Sequence, residues 1–266
     1  MVKSFLIALQ LLTIIPVRVG GEVTDRDMAR SAVFFPAVGA LIGILAAAAA
    51  VALRSPWSPE IAAAVVIVVL TLITGGLHVD GLADTCDGFA VKSTGDTETD
   101  RERRLGVMKD SATGAIGAAS VACAIVLKFA LLSSALKGDV WHAAGTVFML
   151  PVVSRWALVA ASWRGNPARH EGLGKVFVGG ISDAAVAGAT LLACLPVGAA
   201  TAVGAGISLS LPFGIGLVLV CAAVTFLSAL FRRRFGGLTG DTLGAVAEIS
   251  ELLFLLVMTA WNQPST

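Results

Sequence analysis

Long apolar blocks broken by short polar stretches organise the chain. Residues 31–53, 61–77, 112–136, 140–162, 184–204 and 211–231 each have the length and apolar content expected of a helix that crosses a bilayer. Residues 243–261 make a seventh block, although Glu248 and Glu251 lie inside it. Residues 5–16 are apolar but short. At about 1.5 Å per residue they cover less than two thirds of a ~30 Å hydrocarbon core, which leaves open whether they cross or lie in the interface. No small-residue cleavage site follows Pro16, so this is not read as a signal peptide. Small residues crowd at 46–50 and 114–119, as they do where helices approach closely in lipid. The expected fold is therefore all-α. It is a polytopic membrane bundle of about seven transmembrane helices plus a short N-terminal apolar helix, in one integral membrane domain over 1–266.

The polar stretches are unequal. Those at about 17–30, 79–111, 163–180 and 232–241 hold fourteen of the nineteen Lys and Arg, and the short loops between them hold only Arg54 and Lys137. With one crossing per block, all four rich loops fall on one side, and the positive-inside rule makes that side cytoplasmic. The chain is expected in a cell (inner) membrane, with its chemistry facing the cytoplasm. Composition agrees: 56% of the 266 residues are hydrophobic and 14% charged, against roughly 25% charged in a soluble domain. A net charge of +1 and no basic tail exclude a polyanion binder, so no nucleic-acid partner is expected. The four cysteines have neither metal-ligand nor disulfide-framework spacing and read as small packing residues. There is no tyrosine, which leaves Trp57, Trp141, Trp163 and Trp261 as interfacial anchors.

Candidate chemistry starts where the second block ends. Residues 75–89 read GGLHVDGLADTCDGF, with Asp80, Asp84 and Asp87 at i, i+4 and i+7 on one helical face. Carboxylates this close repel unless they are solvated or share a cation, and oxygen-only donors suit Mg²⁺ or Mn²⁺ rather than zinc. Residues 236–246, GGLTGDTLGAV, echo 75–85 and align Asp241 with Asp80 and Glu248 with Asp87. That alignment adds Asp241 and Glu248 to the expected metal ligands. Lys109, Asp110 and Ser111 precede a Gly- and Ser-rich block, where backbone N–H groups and a helix start suit an anion. Arg104 and Arg169 lie in basic loops. Arg155 and Lys128 lie inside apolar blocks, where an unpaired charge is costly and needs a partner or a wet cavity. His78 reads more simply as a polar anchor than as a catalyst. The same holds for His142 and His170.

These stretches resemble the cobalamin synthase family, the adenosylcobinamide-GDP ribazoletransferases. The resemblance rests on GGLHVDGLADTCDGF at 75–89, RLGVMKDSATGAIG at 104–117 and GGLTGDTLGAVAEISELLFLL at 236–256. LLTIIPV at 11–17, FFPAVGALIG at 35–44 and ARHEGLG at 168–174 extend it over almost the whole chain. The resemblance implies a Mg²⁺-dependent transfer from adenosylcobinamide-GDP to α-ribazole or its 5′-phosphate. A ribose hydroxyl displaces GMP in that reaction. Homo-oligomers or association with other enzymes of cobalamin assembly are compatible with it. On this reading Asp80, Asp84, Asp87, Asp241 and Glu248 hold Mg²⁺ on the diphosphate, and Lys109 and Arg155 offset developing phosphate charge. Asp110 or Asp87 takes the hydroxyl proton, and His78, Arg104, Ser111 and Arg169 contact substrate.

Two other readings compete. A CDP-alcohol phosphotransferase-like lipid synthase shares part of the Asp80-Gly81-x-x-Asp84 pattern, but Ala83-Asp84 stands where its Ala-Arg should follow. A transporter would use Asp241, Glu248, Arg155 and Lys128 as a midplane pathway, yet most of the acids cluster beside basic residues at one membrane face.

Overall fold

A computed structural model of the chain describes residues 1–169, 172–202 and 207–261. His170 and Glu171 of the ARHEGLG stretch lie outside the described residues. Every helix or strand element among the described residues is helical. In chain order they are α1 (Val2–Leu12), α2 (Asp25–Ser31), a 3-10 turn (Ala32–Phe34), α3 (Phe35–Leu53), α4 (Pro59–Thr74), α5 (Leu77–Ala90) and α6 (Thr97–Val107). Then come α7 (Ala115–Leu136), α8 (Val140–Ser162), α9 (Leu173–Phe177), α10 (Asp183–Ala202), α11 (Ile207–Phe235) and α12 (Gly240–Trp261).

Five helical segments are long and apolar enough to cross a membrane: Asp25–Leu53, Ala115–Lys137, Val140–Ser162, Ser210–Phe235 and Gly240–Trp261. The pair α4 and α5 would make a sixth only if counted together, and the two are bent 88° apart. Among the described residues five segments pass by length and composition, or six with that pair taken as one span, where seven blocks were expected. The block at 61–77 ends early because Gly75 and Gly76 both take left-handed backbone (φ 61° and 72°), which terminates α4 and turns the chain. The block expected at 184–204 is helical as α10 over Asp183–Ala202, 20 residues, and its last two positions lie outside the described residues.

At the centre stands α8, buried over nearly its whole length. It packs most closely on α3, where a Gly39-x-x-x-Gly43 pair faces it. A β-carbon on Gly39 would strike the Pro151 carbonyl, and one on Gly43 would strike the Phe148 carbonyl. Small residues here replace the hydrophobic drive, which is absent between helices in lipid, with close van der Waals contact. Around α8 also lie α7, α10, α11 and α12.

The four basic loops gather at one end. Arg169 Nη2 donates to the Leu105 carbonyl at 3.0 Å, and Arg104 Nη1 to the Arg234 carbonyl at 3.3 Å. Pro167 bridges to Leu238, and α2 packs on α9. The sparse loops meet at the other end, where Arg54 donates to the Gly138 carbonyl and Lys137 lies 3.3 Å from Glu60. Trp57 and Trp141 are exposed there.

Candidate active site

At the basic end α5 lies across the starts of α7 and α12. Gly81 makes the crossing with α12: a β-carbon there would come within 2.7 Å of the Asp241 carbonyl oxygen and 3.1 Å of Gly244 Cα. Only two glycines allow backbones this close. The crossing brings Asp80 and Asp84 of α5 together with Asp241 near the start of α12. Asp80 is exposed, and Asp84 and Asp241 are half-buried. Because α5 turns away from α4 and lies along the end of the bundle, its carboxylates are outside the membrane-spanning segments. Partial burial, then the neighbouring charges of Asp80, Asp241 and Asp87, push the Asp84 carboxyl up to about 6, with Arg169 offsetting part of the rise.

Arg169 closes the group from the loop after α8. Its Nη1 lies 3.3 Å from Asp241 Oδ2, and Thr239 Oγ1 donates to the same oxygen at 3.3 Å. Beside these residues opens a cavity of about 360 Å³. Asp80, Asp241, Arg169 and Lys175 line its polar side, and Leu11, Leu12, Phe35, Leu158, Phe177 and Leu238 are among its apolar walls. Lys175 and these walls come from five separate stretches of the chain, so their meeting in one cavity could not be read from local spacing.

Asp87 faces elsewhere. Its two carboxylate oxygens accept from Gly114 N at 2.7 Å and Gly117 N at 2.8 Å, at the start of α7. The anion site expected at that helix start exists in outline, but the chain's own Asp87 fills it. Gly114 and Gly117 are needed for the seat, since a β-carbon on either would overlap the carboxylate. Lys109, Asp110 and Ser111 sit on the exposed turn just before it, where Asp110 Oδ1 accepts from Ala112 N at 3.1 Å.

Glu248 and Arg155 are also drawn away. Lys128 Nζ on α7 lies 2.6 Å from Glu248 and 2.8 Å from Glu251, and Arg155 Nη1 on α8 lies 2.9 Å from Glu251. Ser154 Oγ donates to Glu251 at 2.8 Å. All four charged side chains are buried, two cations against two anions, as a low-dielectric interior demands. Glu248 lies seven residues beyond Asp241, about 10 Å along the helix, which is too deep to share a ligand with it. Arg104 is buried as well and pairs with Asp100 at 3.5 Å. His78 is buried between the two regions. It lines the cavity and stays within electrostatic reach of Arg155, Glu251 and Lys128.

Of the five expected metal ligands, then, Asp80, Asp84 and Asp241 converge, while Asp87 and Glu248 are committed to other partners. Among the described residues no three His, Cys, Asp or Glu side chains stand close enough to hold one ion between them. That does not count against Mg²⁺, which is usually held by one or two carboxylates and completed by waters and substrate phosphates. The donor set fits in kind: three hard carboxylates face one compensating cation, Arg169.

A family model described as cobalamin-5-phosphate synthase matches residues 4–259. A protein of Geotalea daltonii named adenosylcobinamide-GDP ribazoletransferase is 38% identical over 98% of this chain and 98% of its own length. One of the same name from Thermodesulfovibrio yellowstonii is 34% identical over 96% of this chain and 95% of its own. One from Escherichia coli is 34% identical over 97% of this chain and 100% of its own. No solved structure matches the chain.

Proposed function

The chain belongs to the cobalamin-5-phosphate synthase family, and from that premise we propose that it transfers adenosylcobinamide phosphate from adenosylcobinamide-GDP to α-ribazole or its 5′-phosphate. A ribose hydroxyl of the acceptor attacks the phosphorus that carries the aminopropanol arm. The bond from that phosphorus to the bridging oxygen breaks, GMP leaves, and adenosylcobalamin or its 5′-phosphate is formed. The observation that carries this reading is the group of Asp80, Asp84 and Asp241 at the edge of a cavity, on the face where the basic loops gather.

Two of Asp80, Asp84 and Asp241 at a time would hold Mg²⁺, completed by waters and substrate phosphates. Bound there, the ion supplies neutralisation of the diphosphate charge that would otherwise repel an incoming nucleophile. Arg169 stabilises phosphate oxygens once substrate competes with its pairing to Asp241. Asp84, whose carboxyl sits near 6, takes the hydroxyl proton when it is not engaged as a ligand. Asp87 holds α5 on α7, and Arg155, Glu251, Lys128 and Glu248 hold α12 beneath the site; these residues position and do not touch substrate. The basic end faces the cytoplasm, where nucleotide substrates are, in an inner membrane.

The test is reconstitution. Purified protein in detergent is incubated with adenosylcobinamide-GDP, α-ribazole and Mg²⁺, and the products are separated by chromatography. Cobalamin and GMP in equal amounts are expected, and their absence with folded wild-type protein rejects the reading.

A further inference from the structure

We infer that the corner where α6 packs on the end of α11 is a binding site for the headgroup of an anionic phospholipid in the adjoining leaflet. Arg101 and Arg104 of α6 and Arg232, Arg233 and Arg234 of α11 build it. None of them lines the cavity, and none serves the proposed transfer.

Topology asks only for a count of positive charges on one side of the membrane. The fold adds convergence. Arg104 Nη1 donates to the carbonyl of Arg234, 130 residues away, at 3.3 Å, and a β-carbon on Gly236 would overlap the Arg101 guanidinium. Phe231 and Phe235 are buried and pack on Phe89 of α5, at 6.0 and 4.9 Å between ring centroids, while the three arginines between them are exposed. The acids of α6 do not answer them. Asp96 caps that helix through Thr99 N, Asp100 is buried and tied to Thr94 N and Arg104, and Glu98 pairs with Arg101 at 3.3 Å in a surface pair that exchanges readily. Glu102 alone is left exposed without a pair, and α11 contains no acid. Among the described residues Arg232, Arg233 and Arg234 form no ion pair. Cations also gather at a helix end to meet its bare carbonyls. Here that part is already played: the Arg232 carbonyl accepts from Gly236 N at 3.0 Å and the Arg234 carbonyl accepts from Arg104. Depth selects the ligand. Phe226 on α11 is exposed and faces lipid, and the arginines follow six to eight residues later, about 9–12 Å along the axis, at the level of headgroups. Guanidinium forks match phosphate oxygens, and basic clusters just past a span attract anionic lipid. A free phosphate meets the same forks but gains nothing from the lipid-facing helix that leads into them.

Native mass spectrometry tests this. Wild-type protein is released from neutral detergent that holds equal amounts of phosphatidylglycerol and phosphatidylcholine, and the lipid it retains is counted. Phosphatidylglycerol should be retained at least about tenfold over phosphatidylcholine. Arg232→Gln/Arg233→Gln should bring that ratio below about threefold. Arg18→Gln/Arg26→Gln, which removes two exposed arginines before and on α2, should leave it at the wild-type value. Glycerol phosphate at the same concentration should not displace the lipid. Equal retention of the two lipids, displacement by glycerol phosphate, an unchanged ratio in Arg232→Gln/Arg233→Gln, or an equal loss in both double variants each overturns the site. If Arg232→Gln/Arg233→Gln does not insert, a photoactivatable phosphatidylglycerol on the wild type decides. Crosslinks confined to α6 and the last turn of α11 uphold the site, and crosslinks spread evenly over the four basic loops reject it. No outcome depends on whether the transfer reaction takes place.

Discussion

Replacing Lys128 with methionine strands a charge. Lys128 Nζ is 2.6 Å from Glu248 and 2.8 Å from Glu251. Methionine keeps much of the length and apolar bulk and removes the ammonium. Glu251 retains Arg155 at 2.9 Å and Ser154 at 2.8 Å, whereas Glu248 has no second hydrogen-bond partner among the described residues. Breaking one side of a buried ion pair costs about 3–5 kcal/mol. A lone charge at the middle of a span costs about 2.5–3.5 kcal/mol on insertion scales. The ranges meet near 3 kcal/mol, roughly two powers of ten in the folded-to-unfolded ratio. Adding Glu248→Gln to Lys128→Met removes the stranded charge and leaves an amide that costs about 1–2 kcal/mol, so the double variant should be the more stable of the two. Unfolding by SDS in mixed micelles, followed through the five tryptophans, measures both. The reasoning fails if Lys128→Met unfolds at the wild-type SDS fraction. It also fails if Lys128→Met/Glu248→Gln is no more stable than the single variant.

Three further outcomes are expected. Asp84→Asn and Asp241→Asn should each lower the transfer rate by about 10²-fold or more and raise the Mg²⁺ needed for half-maximal rate, with the SDS midpoint no lower than wild type; an unshifted Mg²⁺ titration counts against the ligand assignment. Gly117→Ala drives a β-carbon into the Asp87 carboxylate and should cost about 1–3 kcal/mol in the same unfolding assay, since a buried acceptor loses its donors, and it should lower the transfer rate because α5 loses its hold on α7. The Asp84 carboxyl is raised in the fold from 3.8 to about 6, so the folded state binds more protons than the unfolded between those values: its stabilising contribution is present below about pH 4 and is lost as pH rises through about 6. Without divalent cation the SDS midpoint should therefore fall over that window, and Asp84→Asn should flatten the fall.

The apolar blocks and the clustering of basic loops at one end were legible because both follow from bulk solvation. Lipid selects for length and hydropathy, and the membrane surface for charge. The count of spans was not, because it turned on Gly75 and Gly76. Two adjacent glycines can extend a helix, kink it or end it, and only the contacts of α5 with α7 and α12 decide among these. The carboxylates divide in the same way. Helical spacing puts Asp80, Asp84 and Asp87 on one face, and that much is local. Which of them meets the last helix depends on where the two helices cross. With the crossing at Gly81 and Gly244, Asp80 and Asp84 lie beside Asp241, and Asp87 lies past it, against α7. The echo between 75–85 and 236–246 correctly brought the two segments together and misplaced Glu248, since similarity of sequence carries no depth. The buried cluster could have been found by counting. Two cations and two acids inside apolar blocks sum to zero, and Lys128 and Arg155 had nowhere else to find counter-charge.

That count leads to the part played by α7, which supplies no residue to the proposed site and yet touches both halves of it. Near its start, Gly114 and Gly117 hold α5 through Asp87; further along, Lys128 holds α12 through Glu248 and Glu251. One rigid helix thus sets the relative position of the two that carry Asp80, Asp84 and Asp241. Both attachments are charge-assisted and buried, so neither slides without exposing an unpaired group. Direct packing between α5 and α12 is closest where Gly81 meets Gly244, a point at which no side chains interlock. Close approach and fixed angle are separate requirements here. The glycines meet the first, and a charged helix standing behind them meets the second.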